Sequence, residues 1–260
     1  MCTVTVLPAV AGGTRVSGVP FVRLVCNRDE QRSRPASIST VRRRMGDRTA
    51  IMPIDPPSQG TWIGANDSGL VACLLNANPR VEANSKTNRP LRASRGTIVP
   101  ALLAAETIEG ARNLACDIDV AQFPPFRVLV LNTDVFLIAS SDGASLTLSE
   151  PAPLRSPIFL TSSGLGDHLV ESPRRAVFDR MVSGTPDSPA AQDRFHEHRW
   201  QDRPHLSVLM SRPDARTVCR CVISLFPDSV VLSHSNLDDW LAAEPFTQTE
   251  LPLRRVEVAL

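Results

Sequence analysis

Residues 2–7, Cys-Thr-Val-Thr-Val-Leu, form a β-branched run that begins almost at the first residue. Such a strand can be buried from its very start. A Gly-rich turn over 11–17 follows, then a second apolar run at 21–26, so the two read as a hairpin. The second run leads directly into Asn27-Arg28-Asp29-Glu30, a dense polar cluster at the end of what should be a core strand. Residues 31–58, rich in Arg, Ser and Pro, read as a long surface excursion. Residues 60–64 and 70–75 flank Asn66-Asp67-Ser68-Gly69, whose turn chemistry predicts another hairpin, and this one ends in Asn76.

Helical spacing of Ile98, Leu102, Ala105, Ile108, Ala111 and Leu114 predicts two helices over 97–116, broken near Thr107. Strands are expected at 126–131, 135–139, 146–148 and 158–161. Ser172-Pro173 carries a capping hydroxyl and a first-turn proline, so a helix is expected to start there and run to about 183. Polar residues 184–203 suggest a flexible insert, followed by a short helix near 205–211 and strands at 217–225, 229–234 and 256–260. Helices thus fall between blocks of antiparallel hairpins, without βαβ alternation. The pattern predicts an α+β fold with helices packed on two stacked sheets, in a single domain over 1–260.

Composition excludes several roles. Apolar residues at 42% and charged residues at 21% mark a globular chain. A net charge of +1 offers no field of one sign to hold nucleic acid or an anionic membrane. No apolar run approaches the roughly 18 residues of a membrane span, and no secretory leader is visible. The expected compartment is therefore the cytoplasm, with the six cysteines as thiols. Cys219-x-Cys221 lacks the gap of a zinc knuckle and a second pair, so no metal site is expected there. His196-Glu197-His198 lacks the i, i+4 spacing of a zinc protease and reads as a solvated loop.

Cys2 is the residue with most chemical consequence. Met1 is removable before a small residue, which would leave a thiol and a free α-amine on one residue. The reference pKa of the amine is about 7.7–8.0 and that of the thiol about 8.5, so the amine can take the thiol proton. A plain buried strand cysteine is the other reading. The hairpin returns Arg28 and Asp29 towards Cys2, where a guanidinium favours thiolate and a carboxylate can hold the amine; alternatively they form a surface pair. Asn76 either donates to a developing oxyanion or closes a turn before Pro79. Arg216 either binds a substrate carboxylate or lies exposed.

Met1-Cys2, Val25-Cys26-Asn27-Arg28-Asp29-Glu30, Ser33-Arg34-Pro35, Gly60-Thr61-Trp62-Ile63-Gly64, Leu75-Asn76 and Ser94-Arg95-Gly96 occur in one order. Through them the chain resembles the NRDE family, also called the Transport and Golgi organisation protein 2 family, from residue 1 to about 235. That family is similar in pattern to cysteine N-terminal-nucleophile hydrolases such as penicillin V acylase and bile salt hydrolase. The resemblance implies a four-layer αββα sandwich of two antiparallel sheets. It implies Cys2 as nucleophile, with Arg28, Asp29 and Asn76 as the other catalytic residues and Arg216, Ser162 and Trp62 on the substrate side. The acylases place their Asp three residues after the Arg, where this chain has Gln31. They also carry Asn where this chain has Thr161-Ser162-Ser163, and Asn-Gly-Phe-Asn where it has Pro124-Pro125-Phe126-Arg127.

The function expected from these residues is hydrolysis of an amide, ester or thioester of a small acyl substrate, without cofactor. Two other readings stay open. One is a non-catalytic haem or acyl-lipid binding and trafficking protein, with Cys2 as axial ligand or merely structural. The other is acyl transfer in a biosynthetic pathway. A homo-oligomer is compatible with all three.

Overall fold

A computed structural model describes residues 2–8, 18–78, 93–183 and 189–254. The first strand, β1 (Cys2–Pro8), pairs antiparallel with β2 (Val22–Gln31) on one edge and with β11 (Ile158–Thr161) on the other. The sheet continues through β12 (Ala215–Leu225), β13 (Ser229–Asn236) and β14 (Thr247–Pro252), in the order β11-β1-β2-β12-β13-β14.

The second sheet is built from successive neighbours: β3 (Ile38–Met45), β4 (Arg48–Ile54), β5 (Ile63–Asn66), β6 (Val71–Asn76), β7 (Phe126–Leu131) and β8 (Val135–Ser141). Short β9 (Leu146–Leu148) and β10 (Ala152–Pro153) both pair with β8. Every pairing in the two sheets is antiparallel. The β5–β6 turn is held by Asn66. Its Oδ1 accepts from the Ser68 and Leu70 amides, and its Nδ2 donates to the Leu103 and Ala105 carbonyls.

Helices cover the outer faces. On the second sheet lie α1 (Ile98–Leu102) and α2 (Ile108–Cys116), the latter capped by Thr107, whose hydroxyl accepts from the Gly110 amide. On the first sheet lie α3 (Asp167–Phe178) and α4 (Pro189–Glu197). A short α5 (Leu237–Leu241) follows β13. Three apolar layers result: one between the sheets, one under α1 and α2, and one under α3 and α4. This is the αββα sandwich. Because β1 lies between two neighbours and two layers, residues 2–7 are all buried, which explains a run of β-branched residues rather than strict alternation. Among the described residues no helix is long and apolar enough to cross a membrane.

Several elements differ from the sequence expectation. Residues 31–58 are not a surface excursion but contain the β3–β4 hairpin. β3 is an edge strand bearing Arg42, Arg43 and Arg44, and charge on an edge strand masks its β character while blocking further pairing. α3 begins at Asp167, five residues before Ser172, with Pro173 inside it. The start is pinned by the Asp167 carboxylate, which accepts from the Ser163 and Asn78 amides and from Arg127. Near 205–211 only a short helical turn, Pro204–Leu206, is formed. β14 had no sequence signal, and the strand expected at 256–260 lies outside the described residues.

The expected insert is the largest difference. Residues 184–188 are not described, but 189–197 form α4 with Phe195 fully buried against Phe159 and Phe178. His196, expected in a solvated loop, is likewise buried, with Nε2 2.8 Å from Thr5 Oγ1. Burial, reinforced by the charges of Arg220, Arg23 and Arg174, pushes His196 well below its usual pKa, so the ring is neutral. Gln192 donates to the same Thr5 hydroxyl. Phe195→Ala is therefore expected to cost about 3–5 kcal/mol in urea unfolding; a loss within about 0.5 kcal/mol, as for a surface site, would contradict this packing.

Candidate functional site

The register of the first hairpin sets Cys2 directly opposite Arg28. Both side chains point to the inner face of the first sheet, where Cys2, Val4 and Cys26 join the layer between the sheets. There they meet a cavity of about 200 Å³ also lined by Trp62, Asn76, Arg95 and Asp55. Asn76 arrives as the last residue of β6.

Two glycines bring the opposite wall into place. A Cβ on Gly60 would lie 2.5 Å from the Gly96 carbonyl oxygen, so only glycine allows the backbones this close. The Thr61 amide donates to that same oxygen at 3.0 Å. The contact locks Gly60-Thr61-Trp62 to Ser94-Arg95-Gly96 and fixes Trp62 and Arg95 about the cavity.

Arg28 is held in three ways. Its guanidinium carbon lies 4.4 Å from the Trp62 ring centroid, its Nη2 donates to Asp55 Oδ1 at 2.8 Å, and Glu30 stands 3.9 Å away. Its Nη1 is buried with no hydrogen-bond partner among the described residues, as is Trp62 Nε1. Asp55 also accepts from Arg34 Nη2 at 2.6 Å, from Arg34 Nε at 2.9 Å and from Ser58 Oγ at 2.5 Å. Burial works against the Asp55 charge. The hydrogen bonds from Arg34 and Ser58 and the charges of Arg28 and Arg34 prevail, and hold the carboxyl well below the usual carboxylate range.

The Cys2 thiol is pushed well above its ordinary pKa. Its hydrogen bond with Cys26 is the main cause, followed by burial and the Cys26 charge. The sulfur therefore rests as a thiol. Arg95 is a second cation at the cavity: burial lowers its pKa, while the charge of Glu30 opposes that shift.

The sequence-derived residues divide by location. Cys2, Arg28, Trp62 and Asn76 come together at the cavity. Ser162 is adjacent to Cys2 through the backbone. Its amide donates to the Cys2 carbonyl at 2.9 Å, and its hydroxyl accepts from the Cys2 amide at 3.1 Å. Asp29, next in β2 after Arg28, faces the opposite side of the sheet. It accepts from Thr217 Oγ1 at 2.7 Å, and burial raises its pKa against the charge of Arg174.

Arg216 is not brought to the cavity. It makes two bonds to Asp238, at 3.1 and 3.0 Å, on an exposed surface. Sequence reasoning did not assign Asp55, Arg34, Glu30 or Arg95 to the site. Arg34 and Arg95 lay within family-type motifs, whereas Asp55, in a Pro-rich stretch, carried no signal.

Replacing Asp55 with Asn removes the carboxylate that two arginines share, one of them buried. Breaking a buried pair on one side costs about 3 kcal/mol. Since the folded-state pKa is depressed, the Asp55 contribution is present above about pH 4 and is lost as pH falls through the folded value. Asp55→Asn should thus lower stability at pH 7 and flatten the acid limb of the stability–pH curve, measured by urea unfolding at several pH values.

Comparison with known proteins fits this architecture. Among solved structures, the chain is similar to penicillin V acylase from Agrobacterium tumefaciens (TM-score 0.55, 13% identity, 98% of this chain and 87% of that one). It is also similar to the N-acylethanolamine-hydrolyzing acid amidase ortholog of Caenorhabditis elegans (TM-score 0.59, 12% identity, 87% of this chain and 94% of that one). A third likeness is to a mutant conjugated bile acid hydrolase from Clostridium perfringens (TM-score 0.50, 14% identity, 99% of this chain and 100% of that one). The fold is accordingly that of the N-terminal-nucleophile hydrolases. Curated proteins yield no significant sequence match. Residues 12–183 match the family model Transport and Golgi organisation 2, and the chain belongs to that family.

Proposed function

We propose that the chain is a cysteine hydrolase of the N-terminal-nucleophile type that cleaves an amide, ester or thioester of a small acyl substrate in a reducing cytoplasm. The pairing of Cys2 with Arg28 at a cavity bordered by Asn76 carries the reading. Removal of Met1 converts the Cys2 amide, now bonded to Ser162 Oγ, into a free amine at the same place. A thiol with a raised pKa needs a base beside it, and its own residue then supplies one.

In the first half-reaction the amine takes the thiol proton as Sγ attacks the acyl carbon. Asn76 at the cavity is the donor for the oxyanion, and Arg28 Nη1 and Trp62 Nε1 are donors at the same cavity with no partner among the described residues. Loss of one such donor typically costs about 10²–10³ in kcat. The C–N, C–O or C–S bond to the leaving group then breaks, the ammonium returns its proton to that group, and the acyl group remains on sulfur. In the second half the amine deprotonates water, which attacks the thioester, and collapse releases the acid and restores the thiol. Transfer to an acceptor other than water shares the first half. Asp29 acts as a positioning residue on the outer face, tying β2 to β12 through Thr217. The Arg216–Asp238 pair has no part in these steps. A cavity of about 200 Å³ lies below the roughly 300–1,000 Å³ of sites for drug-sized ligands and suits a short acyl group.

Intact mass should show loss of Met1, and an acyl-type electrophile should label Cys2. Cys2→Ala should abolish labelling and turnover, a loss of at least about 10³-fold. A chain that retains Met1 should react only as pH rises towards the elevated range of the thiol. Labelling on another cysteine, or turnover that survives Cys2→Ala, would sink the proposal.

A further inference from the structure

Cys219 and Cys221 stand two residues apart on β12 and present both sulfurs to the inner face of the first sheet. His234 lies opposite Cys221 on β13. The two sulfurs and one ring nitrogen fall within 4.8 Å of one another, and all three residues are buried. Sequence spacing offered only the two thiols; the third donor comes from the neighbouring strand.

The state of the imidazole is set from behind. Ser37 Oγ lies 3.1 Å from Asn236 Oδ1, an oxygen that only accepts, so the hydroxyl proton points there. Ser37 Oγ must then accept from His234 Nε2, 2.8 Å away. With the proton on Nε2, Nδ1 keeps its lone pair and is left for the thiols. A ring that donates one N–H outward while its other nitrogen meets soft donors has the arrangement of a metal-ligating histidine.

We propose that Cys219, Cys221 and His234 form a binding site for a thiophilic divalent cation of the zinc type. Two thiolates neutralise a dication, so the loaded group enters the dry layer with no net charge. A monovalent soft ion would leave one negative charge, and Arg28 is already engaged by Asp55. Binding breaks two S–H bonds, forms two metal–sulfur bonds and releases two protons, with no change of oxidation state. Cys26, opposite Cys221 on β2, places a further thiol beside the set. Because the ligands are buried, the ion is acquired before the sandwich closes.

The full chain should be produced in cells grown with cobalt and analysed for metal content and for the sulfur-to-cobalt charge-transfer band in the near ultraviolet. About one cobalt per chain is expected, retained in Cys2→Ser and lost in both Cys221→Ser and His234→Ala. Ser37→Ala keeps the ligands but frees the ring, and should weaken cobalt binding about 10-fold or more, which tests the site even if a ligand variant fails to fold. A cobalt-free wild type, a disulfide among these cysteines in its place, a band that follows Cys2, or unchanged affinity in Ser37→Ala would overturn the proposal.

Discussion

The register between the first two strands is the constraint on which the site depends. With Cys2 opposite Arg28, alternation sends sulfur and guanidinium to the same face, while Thr3 and Asn27 face the other way. A slip of one residue would exchange these faces and place the thiol under α3. The register is defended from both sides. Val4, Val6, Leu24 and Cys26 are buried between the sheets. On the outer side Arg174 donates to Thr3 and Thr161, and Gln192 and His196 engage Thr5. No single face can be satisfied by another alignment.

The layer under α3 and α4 is more polar than a sandwich interior requires. Arg174, Gln192 and His196 are all buried there, and their partners lie mostly on β1 and β11. A half-satisfied buried network is costly, whereas an apolar one forgives rearrangement. The polar layer thus specifies where the helices sit on the sheet. The Arg28–Asp55–Arg34 group does the same between the sheets, linking β2 to the segment after β4.

The sequence disclosed those elements whose local chemistry agrees with their place. The β1–β2 hairpin, the β5–β6 turn with its Asn66 and Gly69, and the helix break at Thr107 all follow from short-range patterns. Arg28 and Asn76 were legible because each lies at the end of an apolar run, where a polar residue calls for an explanation, and Cys2 because it follows Met1. Elements whose surroundings override composition were hidden. Arginines disguised the β3 edge strand, a polar face disguised α4, and Asp55 was unremarkable until Arg28 and Arg34 converged on it. Neighbours far apart in the chain, such as Ser162 beside Cys2 or His234 beside Cys221, are products of strand order, which no spacing rule conveys.

The position of β1 between β2 and β11 also governs the timing of biosynthesis. One neighbour is translated within about twenty residues, but the other does not emerge until residue 158, and β12, which flanks β2, follows only at 215. Until then nascent β1 has no completed sheet to enter, since chains emerge vectorially and long-range β pairing must wait for its partner. The removal of Met1 that the proposed function requires would therefore act on an open strand, and the fold shuts over Cys2 only after most of the polypeptide exists.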